Sequence, residues 1–369
     1  MKPPNATRKD ELLSPGMDEL PRVLDQPTAK ESGPDGTRPS EASARVGLWM
    51  GAVAVLCWSF GSSLIYLGAR ETGAWPFVAI SCLSGGTLQL ISRRIYHGEL
   101  RTATWLPWRL CVGPLLCFVV YGLTWPCALV ASSGPQVVGV NLINYLWPVL
   151  TVVFSAWWVP GLRLTKATCV AIVLALAGLA CANAPQIREL LSAGVNGSRM
   201  NQFLPYGLAV VAAVTWAIYS TLLVRWRAWS REYVTSPIGF ILIGAIAGLI
   251  SLCGGRGTGR LSGFGLLATI IYGIGPLAAG YLSWELALAK AKVEVLSLIA
   301  AVTPVLSTLL LCWFLRKIPG LELITAALLV SAGVALSMKL KATPAAAPED
   351  IGIQQPRPRG SQGKVPDIS

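Results

Sequence analysis

Two amides, a phenol and a proline recur along one stretch of this chain, GVNLINYLWPVLT from Gly139 to Thr151. Asn141, Asn144, Tyr145, Pro148 and Thr151 follow one another at helical steps, so on a helix they share one face. That face offers donors and acceptors, and Pro148 leaves a carbonyl one turn earlier without its usual backbone partner. In an apolar surrounding, such groups either line a wet cavity that receives a small polar ligand or tie helices together by side-chain hydrogen bonds. The matching face of a later run, Ser297, Ala300, Ala301, Pro304 and Ser307, is made of small residues, which suits close and sliding helix contact.

Aromatic residues form a second set. Trp58, Tyr121, Trp125, Trp147, Trp216, Tyr219, Tyr281 and Trp284 all fall well inside apolar runs, where an indole N–H or phenol wants a partner and the ring suits an apolar or aromatic ligand. Any one of them can equally be ordinary core packing. The expected cavity lining comprises Trp58, Ser62, Tyr121, Asn141, Asn144, Tyr145, Trp216, Tyr219 and Tyr281. Trp125 and Trp284, expected toward the outer and the inner face of the membrane, are expected gates, with Pro148 and Pro304 as hinges. Glu285 is the one carboxylate deep in an apolar run, a place for a substrate amino group or a transported proton, although its nearness to Lys290 also fits a surface residue at a helix end.

No phosphate loop, nucleophile elbow, H-E-x-x-H run or carboxylate pair occurs, so neither an enzyme nor a cofactor is expected. The single histidine, His97, is expected in a loop with Arg93, Arg94 and Arg101, and nine cysteines lie in or beside apolar runs without a C-x-x-C pair, so no metal site is expected.

The elements that must hold these residues are set by composition. Of 369 residues 53% are hydrophobic and 13% charged, so lipid has to cover most of the surface. The net charge of +12 does not come from the first 44 residues, where eight acidic residues outnumber six basic ones, and a nucleic-acid partner is not expected. The surplus lies between apolar runs. About ten membrane-spanning helices are expected, near 46–67, 75–91, 109–130, 137–159, 165–184, 204–224, 235–253, 264–289, 293–315 and 321–339. Alternate loops hold fourteen Lys and Arg against seven, which puts both termini in the cytoplasm.

The chain also repeats itself. AVLCWSF around Trp58 matches AAVTWAI around Trp216, YGLTWPCALVAS matches GYLSWELALAKA at Trp125 and Trp284, and PVLT from Pro148 matches PVLS from Pro304, at separations of 158, 159 and 156 residues. Five spans per half is an odd number, so the second half must enter the membrane inverted. The expected fold class is therefore an all-α polytopic membrane protein of two inverted five-helix repeats. The expected divisions are a disordered tail over 1–44, a first repeat over 45–184, a periplasmic linker over 185–203, a second repeat over 204–340 and a second tail over 341–369.

NYLWPVLT, WAIYS, GYLSWELAL and TPVLS, over residues 46 to 340, resemble the EamA-like members of the drug/metabolite transporter superfamily, and within it the YddG-type aromatic amino acid exporters. The resemblance implies a bacterial inner-membrane exporter of neutral or aromatic amino acids or related metabolites, working by alternating access through a central cavity. It carries Asn144, Tyr145, Trp147, Pro148, Trp216, Tyr219 and Trp284 over as motif positions. An amide usually follows the last Trp in that group, whereas this chain has Glu285. The implied partners are a small-molecule substrate and the bilayer, with a monomer as the working unit; another amphipathic metabolite or drug as cargo, or a membrane receptor, are the competing readings.

Overall fold

The computed structural model describes residues 41–97, 111–134, 136–159, 164–185, 188, 200–225, 235–254, 262–291 and 293–339. Among them there is helix and no strand. Helix α1 is Glu41–Thr72, α2 Ala74–His97, α3 Leu116–Ala131, α5 Lys166–Ala182, α6 Met200–Arg225, α7 Thr235–Leu252 and α10 Leu321–Lys339. Three others are interrupted: α4 is Gln136–Asn144 then Trp147–Trp158, α9 is Val293–Ala300 then Thr303–Phe314, and α8 runs Gly263–Tyr272 and Gly280–Lys290 through a π segment at Gly273–Ala279.

Six helices are long and apolar enough to cross a membrane, and four shorter apolar ones, Lys166–Ala182, Ser236–Leu252, Leu298–Phe314 and Leu321–Ser337, stand where further crossings are expected. Leu56, Val173, Leu176, Leu249 and Leu267 on the outer faces are exposed, as side chains facing lipid must be. Trp49, Trp157 and Trp313 are exposed near helix ends, in keeping with an interfacial belt, while Trp105, Trp108, Trp226 and Trp229 lie outside the described residues.

The halves exchange with one another in the packing. Helix α1 packs on α8 and α9, and its counterpart α6 packs on α3 and α4; α2 packs on its own counterpart α7, and α5 on α10. Glycines give the sense of the two self-paired contacts. A Cβ at Gly178 would stand 2.8 Å from the Ala326 carbonyl oxygen, and one at Gly333 2.7 Å from that of Ala171, so α5 and α10 run antiparallel. Gly86 meets Pro237 and Ile241 while Gly244 meets Ala79 and Leu83, so α2 and α7 do too. Counterpart helices of opposite direction are what two inverted repeats require.

A further repeat signal went unread in the sequence. Pro114 sits in a π turn, Cys111–Leu115, that leads into α3, and Pro276 in the π segment of α8, so VGPL and IGPL recur at 162 residues, three more than the spacing of Trp125 and Trp284. A π turn with an internal proline leaves backbone carbonyls without partners. Beside this segment of α8, Gln89 of α2 donates from Nε2 to the Leu277 carbonyl at 2.6 Å, while Ser236 of α7 donates to its Oε1 at 3.1 Å. Gln89 is 0% exposed, and a lone amide in the run LQLIS was the signal that could have revealed it.

Several boundaries differ from the sequence expectation, and helix α6, from Met200, begins inside the expected linker. Helix α1 begins at Glu41, inside the expected tail, and its 32 residues reach about 48 Å, beyond the hydrocarbon thickness. Helix α2 continues to His97, so Arg93, Arg94 and His97 lie on a helix rather than in a loop. The fourth span is not one helix, because Pro148 has no N–H to continue it. The remainder of the expected tails lies outside the described residues.

Candidate substrate site

The breaks in α4 and α9 lie at equivalent places and are built from the same parts. In α4, the Tyr145 N–H donates to the Leu142 carbonyl at 3.1 Å and Leu146 N–H to Ile143 at 3.0 Å, so the helix tightens by one residue before Pro148 restarts it. In α9, Val302 N–H donates to Ile299 at 3.1 Å and Pro304 restarts the helix. Each proline also withholds an N–H from the carbonyl four residues earlier, Asn144 in one half and Ala300 in the other.

Side chains from four helices meet at the α4 break. Asn141 Nδ2 donates to Ser307 Oγ of α9 at 3.3 Å. The Tyr145 hydroxyl lies close to Ser307 and to Ser62 of α1, and the Tyr121 hydroxyl of α3 close to the Asn144 amide. Asn141 is 0% and Asn144 6% exposed, yet Oδ1 of each finds no partner among the described residues. Thr151, one turn further, turns its hydroxyl to the Trp147 carbonyl, and α6 reaches it through Thr221.

The aromatic residues form two groups rather than one box. Trp216 is the hub of the first, with ring centroids at 4.4 Å from Tyr121, 5.2 Å from Tyr219, 5.5 Å from Phe118 and 6.1 Å from Trp147. Trp58 is the hub of the second, 5.4 Å from Trp284 and 5.6 Å from Tyr281. Phe240 of α7 joins them, 5.0 Å from Phe118 and 5.2 Å from Tyr281. Phe118 and Phe240 are essentially buried and carry no polar atom, which is why the sequence did not distinguish them from ordinary core residues.

Tyr121, Tyr145 and Tyr281 lie deep in the bundle, and each nevertheless keeps part of its surface exposed, as do Trp58, Trp147 and Trp216. The remaining expected residues are placed less suggestively. Trp125 is 4% exposed in the core, Ser62 and Tyr219 are buried, and Pro304 is buried at the α9 break. Trp284 is half-buried against Trp58, and its neighbour Glu285 turns outward to meet Arg93 of α2, Oε1 to Nη2 at 2.5 Å. No group of three or more metal-ligating side chains occurs among the described residues.

Known proteins bear on this geometry. The model of the EamA-like transporter family matches residues 204–339. Over 301 residues the chain is 30% identical to the aromatic amino acid exporter YddG of Ancylobacter novellus, covering 79% of this chain and 96% of that one. A crystal structure whose chain is covered completely, along with 81% of this one, superimposes with a TM-score of 0.58 at 27% identity. The chain belongs to the EamA-like transporter family. It is a multi-pass membrane protein of a transporter family.

Proposed function

We propose that this protein exports neutral, chiefly aromatic, amino acids across the bacterial inner membrane by alternating access, with both termini in the cytoplasm. The observation that carries the reading is the pair of aromatic groups centred on Trp58 and Trp216, flanking a set of amides and hydroxyls at the α4 break. An aromatic side chain can lie among the rings while the polar head meets the break. The similarity to an aromatic amino acid exporter supports this cargo, and the exchangeable halves supply two equivalent conformations for access from either side. Trp284, closing on Trp58, is the inner gate of this scheme, and Trp125 its counterpart toward the outer side.

The test is reconstitution in liposomes with labelled Phe, Trp, Thr and Met, with and without an imposed proton gradient. Uptake of Phe and Trp ahead of Thr and Met is expected. Failure to move any of the four in either direction overturns the amino-acid reading and leaves the fold untouched. W284A is expected to raise leak and relax selectivity, and unchanged export and selectivity would remove it from the gate.

A further inference from the structure

We propose that the break in α4 is an anchor for a primary ammonium group; resting on the reading above, that group is the α-ammonium of the substrate. The argument starts from acceptors without donors. Asn141 Oδ1 and Asn144 Oδ1 are both buried and unpartnered. The main-chain carbonyl of Asn144 is a third acceptor, because the N–H that would reach it belongs to Pro148. Asn141 and Asn144 are three residues apart on one helical face, so their side chains leave the helix within about one turn of each other, roughly 5 Å along its axis. An ammonium carries three N–H donors and no acceptor. Leaving buried acceptors empty is costly, so an occupant that brings donors is favoured there.

The other half of the molecule shows what this break looks like when it is closed. In α9 the carbonyl freed by Pro304 is that of Ala300, and Thr303 Oγ1 caps it at 2.6 Å. The residue equivalent to Thr303 in α4 is Trp147, which has no hydroxyl to turn inward. The residues equivalent to Asn141 and Asn144 in α9 are Ser297 and Ala300, so the amide acceptors are absent as well. The two breaks thus share a backbone device and differ in whether its oxygens are left available. The rings of Tyr121 and Tyr145 beside the α4 oxygens add a π surface that favours a cation and disfavours a carboxylate. Neutral amides, unlike an aspartate, hold a zwitterion's ammonium without adding a permanent charge to the membrane interior.

The experiment measures binding to the purified full-length protein in detergent by ligand-induced thermal stabilisation and by intrinsic tryptophan fluorescence, with phenylalanine, phenethylamine and 3-phenylpropionate, each in sodium and in choline buffer. Phenylalanine and phenethylamine are expected to bind and 3-phenylpropionate to bind at least tenfold more weakly. N144L, which keeps the shape and removes the acceptor, is expected to weaken both amines about tenfold and leave 3-phenylpropionate unchanged. P148A restores an N–H to the Asn144 carbonyl and is expected to weaken the amines without altering the side chains. Equal binding of 3-phenylpropionate and phenethylamine, or loss of all three ligands alike in N144L, overturns the anchor, as does failure of either amine to bind. Binding that requires sodium assigns the oxygens to a metal cation instead and overturns it too. If phenethylamine binds through Asn144 but the liposomes move no amino acid, the anchor stands and the proposed cargo falls.

Discussion

At the scale of single residues, Glu285 changes most between sequence and structure. Its chain neighbour Lys290 suggested a side chain at a helix end, and its place in an apolar run suggested a proton carrier. The structure gives it a partner 192 residues away, Arg93, which no local pattern could have named. The Glu285 side chain is 43% exposed, so the pair contributes only about 0–1 kcal/mol to stability and fixes the spacing of α2 and α8 rather than storing energy. E285Q is therefore expected to export with an unchanged response to an imposed proton gradient, and R93E to be repaired by adding E285R, both read as initial transport rates in liposomes. A gradient response abolished in E285Q would assign the carrier role to this carboxylate. Gln89 is the opposite case, wholly buried and doubly bonded. Q89L removes the Gln89 bond to the Leu277 carbonyl and the acceptor of the Ser236 hydroxyl, at about 1–3 kcal/mol, and a lower thermal midpoint in detergent is the measurement.

At the scale of elements, the backbone approaches of α5 to α10 and α2 to α7 depend on the absence of a side chain. A Cβ at Gly178 would meet both the Ala326 carbonyl oxygen and Val330 Cγ2 at 2.8 Å, so G178L must push the helices apart and cost about 1–3 kcal/mol, whereas G207A has no atom within 4 Å to meet and is expected to be neutral. Equal thermal midpoints for the two variants would refute the tight seam. The elements were largely legible in the sequence, because hydrophobic length is a direct physical requirement of the bilayer. The run around Asn141, Asn144, Tyr145 and Pro148 was legible for the same reason: polar atoms in hydrocarbon need an explanation. The helix break itself was less so, since Pro148 was compatible with a kink in one continuous helix. The π turns at Pro114 and Pro276 escaped because a π turn has no composition of its own. Which rings touch which was not legible either, as Trp58 and Trp216 were placed together by symmetry and the folded chain puts them in separate groups joined by Phe240.

At the scale of the whole molecule, an antiparallel pairing of counterpart helices means that the chain between the halves need not carry structural information. Co-expression of two fragments divided within 185–203 is expected to restore transport above either fragment alone, and no restoration would show that the connection itself orders the fold. Sidedness follows the loop charges: R225C is expected to react with an impermeant thiol reagent only in inverted vesicles and R70C only in intact cells. The two halves, though alike in path, differ at their breaks in a few side chains, and the capping hydroxyl of Thr303 is the clearest instance. Duplication of one ancestral unit would have produced two identical breaks, and a single codon separating a threonine from a residue without a hydroxyl is enough to silence or expose a carbonyl in the membrane. Ligand chemistry in such a lineage can therefore drift from one half to the other by point substitution, with the scaffold inherited unchanged.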